Sequence, residues 1–241
     1  MTTTSSRSKV RILLVEDHAL FAESLDLALT MEGYDVHRFS PPDGSGTGPG
    51  STAALIAAAV GLRPRIVLLD LDLGAFADGT DLIHPLARSG ANVVVVTAST
   101  DRARWGECVR YGARAVISKT RPLNDIMSVV RRIHHGLPVM SHEEREELLR
   151  AWHSQRTQQQ AVRRRLSNLT QREREVLGQL MEGRQVREIA RTRYVSEATV
   201  RTQVKSILAK LEVSSQLAAV GLARTAGWQP PTTGEASHRS G

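Results

Sequence analysis

The sequence predicts an α/β fold, a doubly wound parallel sheet, followed by a smaller all-α domain. Over the first 137 residues, short apolar runs alternate with helical patterns five times in succession. Two of the runs, RIVLLD and NVVVVT, have uninterrupted apolar centres, which is typical of strands buried on both faces of a parallel sheet. From Leu169 onward, the apolar residues recur at helical spacing instead.

Five strands and five helices are expected to alternate in the first domain. Right-handed crossovers then place the loops that follow the strands along one edge of the sheet. The predicted strands are Val10–Val15, Tyr34–Phe39, Arg65–Leu69, Asn92–Thr97 and Ala113–Ser118. The predicted helices are Ala19–Glu32, Thr52–Val60, Asp81–Arg88, Asp101–Tyr111 and Pro122–His135.

Three stretches lack these patterns. The segment Ser40–Ser51, SPPDGSGTGPGS, predicts a flexible loop between the second strand and the second helix. Residues 138–166 form an interdomain linker, for which a long helix and a partly disordered tether are both open interpretations. Residues 229–241 predict a disordered tail. The two domains are therefore expected at residues 9–137 and 167–228.

Composition excludes several classes of protein. Cys108 is the single cysteine among 241 residues, so an internal disulfide is impossible and a cysteine-based zinc site is not expected. No segment has 18 consecutive apolar residues, and the N-terminal apolar run is too short for a signal peptide. We therefore expect a cytoplasmic protein without a membrane partner.

The net charge of +7 is unevenly distributed. Residues 1–140 carry 15 Lys and Arg against 14 Asp and Glu, a net charge of +1. Residues 141–241 carry 17 against 11, a net charge of +6. A basic C-terminal part attracts polyanions such as DNA, although a basic surface that serves only solubility is the alternative.

The C-terminal part has the start and stop signals of a helix-turn-helix. Thr170 and Glu173 have the spacing of a capping box that starts a helix at Gln171, and Gly183 would end that helix. After a second short helix, Ser196 can cap a third. One face of the third helix is apolar, with Val200, Val204, Ile207, Leu208 and Leu211. The opposite face carries Arg201, Thr202, Lys205, Ser206 and Ala209.

A small, basic, hydroxyl-bearing face suits a helix that enters the major groove, although a helical bundle with a solvated basic face remains the alternative. The strings TQREREVL, EIA, VSEATVRTQVKSILAKLEV and AGW resemble the LuxR-type helix-turn-helix over about sixty residues. The resemblance implies that Val195–Leu211 contains the recognition helix and that Arg201, Thr202 and Lys205 face promoter DNA. Gln203 stands where this family often has His.

Acidic residues follow two of the predicted strands. Glu16 and Asp17 follow the first strand and Asp70 follows the third, so their carboxylates can converge at one sheet edge. Oxygen ligands suit Mg²⁺. Thr97 and Lys119 end the fourth and fifth strands, and both can stabilise a phosphoryl oxygen. Taken singly, each of these residues is usually a cap or a solvated surface residue.

Those residues, in that order, resemble the receiver domain of bacterial response regulators over about Lys9–Gly136. With the helix-turn-helix, the chain resembles the NarL/FixJ class of two-component transcription factors. The resemblance implies a flavodoxin-like receiver with strand order 2-1-3-4-5, followed by a four-helix DNA-binding domain. It also implies a regulator that is not an enzyme. A histidine kinase, a second copy of the chain when active or DNA-bound, and RNA polymerase are the implied protein partners.

The resemblance assigns a role to each residue of the acidic edge. Asp70 is the phosphoacceptor, Thr97 is the switch hydroxyl, and Lys119 pairs with the phosphoryl group. The Mg²⁺ ligands are Glu16, Asp17, Asp70 and the backbone carbonyl of Asp72.

Three features depart from the receiver pattern. Gly74 replaces the usual proline, the loop to Asp78 is one residue longer, and Val116 replaces an aromatic residue. They motivate an alternative, a phosphorylation-independent regulator whose receiver is a dimerisation or ligand-sensing scaffold. A second alternative is a phosphatase that uses Asp70 and Asp72, although such enzymes normally carry this pair on the first strand.

Overall fold

The computed structural model describes residues 9–39, 49–74 and 77–230. They divide into two compact units, Met1–His153 and Ser154–Gly241. The first unit is an α/β fold and the second is helical.

The first unit is built on a five-stranded parallel sheet with strand order β2-β1-β3-β4-β5, which confirms the predicted order. The strands are β1 (Arg11–Val15), β2 (Asp35–Phe39), β3 (Ile66–Leu69), β4 (Asn92–Thr97) and β5 (Ala115–Ser118). The helices are α1 (Ala19–Met31), α2 (Pro49–Leu62), α3 (Gly79–Arg88), α4 (Arg102–Tyr111) and α5 (Leu123–His134).

Both faces of this sheet are covered, as the apolar centres of the strands predict. Along β1 and β3, alternate side chains enter two separate apolar cores, with Leu13 and Val67 in one and Ile12 and Leu68 in the other. Every residue of β3 is buried. The register pairs Val15 with Leu69. The residues that follow these two strands therefore leave the sheet side by side.

Element boundaries differ from the prediction where local hydrogen bonds decide them. The fifth strand begins at Ala115 rather than Ala113, because the Ala113 amide donates to the Cys108 carbonyl and closes α4. The third helix begins at Gly79 rather than Asp81, because the Asp78 side chain accepts from the Thr80 amide.

The predicted loop Ser40–Ser51 is too long at its C-terminal end. α2 begins at Pro49, so residues 49–51 belong to a helix, whereas residues 40–48 lie outside the described part of the chain. Proline at the first position of a helix is favourable, since its missing amide hydrogen has no partner there in any case.

The predicted linker contains one continuous helix, α6 (His142–Ser167). Leu148, near its start, is 1% exposed and belongs to the core of the first unit. Leu166, near its end, is buried in the core of the second unit. Of the two interpretations of this segment, the structure has the long helix.

The second unit also contains α7 (Gln171–Met181), α8 (Val186–Thr192), α9 (Glu197–Leu211) and α10 (Gln216–Thr225). Their apolar faces meet in one core, which includes Val176, Ile189 and Val204. Residues 231–241 of the predicted tail lie outside the described residues. Pro230, in contrast, lies against Gly178 of α7, 2.6 Å from the position of a β-carbon there.

Within the described ranges, no single helix is long and apolar enough to cross a membrane. The bent pair α9 and α10 meets the criterion by length and composition only.

Candidate functional site: an acidic pocket and a helix-turn-helix

The acidic pocket lies at the carboxyl edge of the sheet. Glu16 directly follows β1 and Asp70 directly follows β3, and the Asp70 amide donates to the Val15 carbonyl at 2.9 Å. Lys119 directly follows β5, and its amide donates to the Thr97 carbonyl at 2.8 Å. The parallel strands thus bring Lys119 together with Asp70, 49 positions away, and with Glu16, 103 positions away.

Lys119 is bound to both buried carboxylates. Its Nζ is 2.7 Å from Asp70 Oδ2 and 2.8 Å from Glu16 Oε1. The side chains of Asp70 and Glu16 are 1% and 2% exposed. Two carboxylates so far from water require a cation nearby, and the ammonium group supplies it.

Burial and pairing act in opposite directions on the pKa values in this pocket. Burial raises the pKa of Glu16, and the hydrogen bond from Lys119 offsets only part of this effect. Burial alone would lower the pKa of Lys119, but the hydrogen bonds to Asp70 and Glu16 outweigh it, so the pKa is raised. Lys119 therefore stays protonated at neutral pH.

Asp17 and His18 form the open side of the pocket. His18 Nδ1 is 2.8 Å from Asp17 Oδ1 and 3.1 Å from Glu16 Oε1. One ligand atom from each of Glu16, Asp17, His18 and Asp70 lies within 4.8 Å of the other three. Three carboxylates at this spacing fit a hard divalent cation such as Mg²⁺, which prefers oxygen ligands. His18 was not among the residues that the sequence pattern selected.

The loop after Asp70 is held close to the pocket. The Asp72 amide donates to Asp70 Oδ1 at 3.3 Å, whereas the Asp72 carboxylate points to Arg104 Nη1 at 3.0 Å. A β-carbon on Gly79 would lie 2.1 Å from the Asp70 carbonyl oxygen, so only glycine fits there. Gly74 has φ +60°, and a β-carbon there would lie 3.6 Å from Asp17 Oδ2.

Thr97 ends β4 and Val116 lies within β5, the strand that leads to Lys119. Thr97 is fully buried, and its Oγ1 accepts a hydrogen bond from the Ser99 amide at 3.1 Å. Val116 is 8% exposed and packs in the core between the sheet and α4. An aromatic ring approaches this region from α4 instead, where Trp105 Nε1 donates to the Ser99 carbonyl at 2.9 Å.

In the second unit, a buried carboxylate joins α7 to α9. Thr170 and Glu173 form the predicted capping box. Glu173 also accepts from Ser206 Oγ at 2.6 Å and from Lys210 Nζ at 2.7 Å. Burial raises the pKa of Glu173, but these donors outweigh burial and lower it to about 2. Ser206 therefore faces α7, and its predicted place on the face opposite the apolar residues was wrong.

The other residues predicted for the DNA-binding helix lie at the start of α9 and along it. Ser196 caps α9 by accepting from the Thr199 amide. Arg201, Thr202 and Lys205 are exposed on α9. Arg201 pairs with Glu197 one turn earlier, at 3.0 Å. Gln203 is only half-exposed, and its side-chain oxygen is buried without a hydrogen-bond partner among the described residues.

Two family models match the chain. Residues 12–131 match the response regulator receiver domain, and residues 167–223 match the bacterial regulatory proteins of the luxR family. The chain belongs to the LuxR-type response regulators. These proteins are transcriptional regulators that join a receiver domain to a DNA-binding helix-turn-helix domain.

Relatives of this response regulator share most of its length. The nitrate/nitrite response regulator protein homolog of Haemophilus influenzae is 26% identical over 218 residues, which are 90% of this chain and 97% of that protein. The transcriptional regulatory protein LnrK of Bacillus subtilis is 31% identical over 159 residues, which are 63% of this chain and 71% of that protein. The solved structure of the Salmonella typhimurium response regulator RcsB covers 90% of this chain at 20% identity, with a TM-score of 0.48.

Sequence patterns did not reveal three side-chain contacts of this response regulator. They are the His18 contact with Asp17, the Arg104 contacts with Asp72, and the Ser206 contact with Glu173. Only the first had a local signal, because His18 adjoins the acidic pair. The other two join residues at least thirty positions apart.

Proposed function

We propose that this transcriptional response regulator is switched by phosphoryl transfer from a histidine kinase to Asp70. One observation carries the proposal. Asp70 Oδ2 is 2.7 Å from Lys119 Nζ, and Asp70 belongs to a cluster with Glu16, Asp17 and His18 whose ligand atoms lie within 4.8 Å of one another. A nucleophile, a cation and a metal-binding donor set thus share one pocket.

The chemistry required of Asp70 is nucleophilic attack. A carboxylate oxygen attacks the phosphorus of a phosphohistidine, a P–O bond forms, and the P–N bond breaks. The electron pair of the broken bond stays on the imidazole, which takes up a proton. Lys119 would then pair with a phosphoryl oxygen, and the Thr97 hydroxyl would approach from the neighbouring strand.

Glu16, Asp17, Asp70 and the Asp72 carbonyl would hold Mg²⁺. The ion would neutralise charge on the phosphoryl oxygens and orient them. Asp70 and Glu16 already place oxygen atoms in the pocket, and Asp17 lies at its open side with a side chain that is 30% exposed.

The output is binding of promoter DNA through α9. Arg201 and Lys205 carry positive charge on the exposed face of a helix whose start is fixed by the Ser196 cap. Cations on such a face can reach phosphates or guanine edges in the major groove. Phosphorylation would add a charge of about −1.5 to −2 at the acidic pocket. We propose that this change favours a dimer that binds two half-sites.

Intact-mass measurement tests the role of Asp70. The full-length protein is incubated with phosphoramidate and Mg²⁺, and the expected result is one added phosphoryl group. Asp70→Asn, which keeps the size of the side chain, is expected to gain none. A gel shift on DNA from upstream of the protein's own gene then compares the two forms, and phosphorylation is expected to tighten binding.

The main alternative is a regulator of the same family whose receiver works without phosphorylation. Gly74, which stands in place of proline after Asp70, and Val116, which stands in place of an aromatic residue, favour it. Wild-type protein that gains no mass with phosphoramidate, yet still binds DNA, would support this alternative over our proposal.

A further inference from the structure

Arg104 joins the two ends of the loop that follows Asp70. It is the third residue of α4, and its side chain is 26% exposed. Nη1 is 3.0 Å from Asp72 Oδ1, and Nη2 is 3.3 Å from Asp78 Oδ1. The two terminal nitrogens of one planar guanidinium thus hold two separate carboxylates, a geometry that a lysine cannot reproduce.

The backbone brings the same two residues together only weakly. Asp72 and Asp78 form an isolated antiparallel bridge, and the Gly79 amide donates to the Leu71 carbonyl at 2.9 Å. One bridge outside any sheet lacks the neighbouring pairs that make a strand stable. Arg104, which belongs to α4, therefore adds side-chain bonds between Asp72 and Asp78, where the backbone supplies only one isolated bridge.

Electrostatics favour this clamp over the separate groups. Burial alone would lower the pKa of Arg104, but its contacts with Asp72 and Asp78 raise it further than burial lowers it. For Asp78, burial is outweighed by the hydrogen bonds from Thr80 and by Arg104, so the pKa is lowered. Arg104 and Asp78 are therefore both charged at neutral pH.

The clamp acts on a peptide that touches the phosphoacceptor. The Asp72 amide donates to Asp70 Oδ1 at 3.3 Å, and the carbonyl of the same residue is an expected Mg²⁺ ligand. A rotation of the backbone at Asp72 would move both groups.

We propose that Arg104 is a positioning residue for phosphoryl transfer: by joining Asp72 to Asp78, it holds the Asp72 backbone in the orientation that supports Asp70 and Mg²⁺. This inference rests on the proposed role of Asp70 as the phosphoacceptor. Arg104 binds the Asp72 carboxylate rather than the Asp72 carbonyl that would hold Mg²⁺, so it acts through Asp72.

Two measurements on the full-length protein test this role. Calorimetric titration with Mg²⁺ alone gives the Kd for the ion, and intact mass gives the rate of phosphorylation by phosphoramidate at saturating Mg²⁺. For Arg104→Gln, we expect the Kd to rise and the rate to fall, each by about tenfold. Arg104→Lys should change both in the same direction, because an ammonium group cannot span the two carboxylates.

Arg102→Gln is the matched control. Arg102 lies on the same helix, its side chain is 53% exposed, and it pairs with Glu147 rather than with the loop after Asp70. We expect wild-type values from this variant. If the ion pairs of Arg104 were purely structural, Arg104→Gln would lower the thermal midpoint and leave both the Kd and the rate unchanged. That result would overturn the inference.

A double-mutant cycle tests whether Arg104 acts through Asp72. Asp72→Asn keeps the backbone carbonyl and removes the ion pair, so it should resemble Arg104→Gln. In the double variant, the Kd for Mg²⁺ and the phosphorylation rate should match those of the more impaired single variant, because the second change removes no further interaction. Fully additive losses would contradict the mechanism. Asp72→Asn and Arg104→Lys carry the same test if Arg104→Gln does not fold.

The wild-type protein separates this inference from the proposed function. Failure of the wild type to bind Mg²⁺ and to gain a phosphoryl group would remove the role of Asp70. If the wild type does both and the Arg104 variants match it, only the positioning role of Arg104 fails.

Discussion

The carbonyl oxygen of Leu148 lies 2.0 Å from the position that a β-carbon on Gly106 would occupy. The backbones of α4 and α6 therefore approach so closely that only glycine fits at this point. The Cβ of Trp152 lies 2.9 Å from the same position. The start of α6 can thus pack against α4 because Gly106 has no side chain. Leu148 is buried in the core of the first unit.

Gly106→Ala should destabilise the first unit by about 1–3 kcal/mol, because the overlap is with backbone that no side-chain rotation can relieve. Thermal denaturation of the full-length protein measures the loss, and limited proteolysis should cut the first half of α6 sooner. Gly61→Ala is the control. Gly61 lies in α2 with open space around it, so alanine should raise stability there by about 0.5–1 kcal/mol. Equal stability of Gly106→Ala and wild type would contradict the close approach.

Glu173 should make the second unit sensitive to acid. Its pKa is about 2 in the folded protein against the ordinary value of 4.5. The stabilisation, about 3 kcal/mol, is fully present above pH 4.5 and is lost as the pH falls towards 2. Urea unfolding at a series of pH values measures this dependence.

Glu173→Gln should remove most of that pH dependence and lower stability at pH 7 by about 3 kcal/mol, since Lys210 loses its charged partner. Glu175→Gln is the control for charge, because the Glu175 pair with Arg193 is partly exposed and should contribute less than about 1 kcal/mol. An unchanged acid profile for Glu173→Gln would mean that another carboxyl group causes the sensitivity.

Tyr194, in the turn between α8 and α9, combines φ +53° with a side chain that is 96% exposed. The left-handed conformation costs about 1–2 kcal/mol for a residue with a β-carbon. Glycine removes this cost, but it lowers the free energy of unfolding by about 0.5–1 kcal/mol because the unfolded chain has more conformations. Tyr194→Gly should therefore raise stability by about 0.5–1 kcal/mol, and Tyr194→Ala should not. A lower thermal midpoint for the glycine variant would show that the ring itself stabilises the turn.

Lys205→Ala should weaken binding to operator DNA by about 1–3 kcal/mol if Lys205 reaches a base edge. If it contacts a phosphate instead, the loss of affinity should be the same for every DNA sequence. The slope of the logarithm of the binding constant against the logarithm of the salt concentration should then become shallower by about one. Fluorescence anisotropy at several salt concentrations separates the two cases. Arg145→Ala, which removes one exposed positive charge from α6, should leave affinity nearly unchanged. Affinity of Lys205→Ala equal to wild type at every salt concentration would remove Lys205 from the interface.

The strands and the edge at which the acidic residues meet were predictable from local patterns, whereas the order of the strands was expected from the resemblance to receiver domains. Buried strands such as β3 and β4 carry apolar runs, and right-handed crossovers place the loops that follow parallel strands along one edge. The acid residues after β1 and β3, with Lys119 after β5, therefore had one edge on which to converge. Helix caps such as Thr170 and Ser196 were equally local, and the structure has both.

Helix boundaries were less predictable, because backbone hydrogen bonds at single residues decide them. Pro49 starts α2 inside a segment whose composition indicates a loop. The linker left two interpretations open for a related reason. Its sequence is polar over many residues, and its helix is supported by burial of Leu148 and Leu166 against different cores.

By itself, the sequence determined the order of elements, the acidic edge and the helix caps of the second unit, because strand and helix periodicity, caps and crossovers act over short stretches of chain. Tertiary structure alone decided that Arg104 binds Asp72 and Asp78. It also decided that Ser206 bonds to Glu173, and that α6 packs against α4 at Gly106. Each of these contacts joins residues from separate elements. Their side chains meet only after the cores have set the distances between those elements, and no spacing in the sequence records those distances.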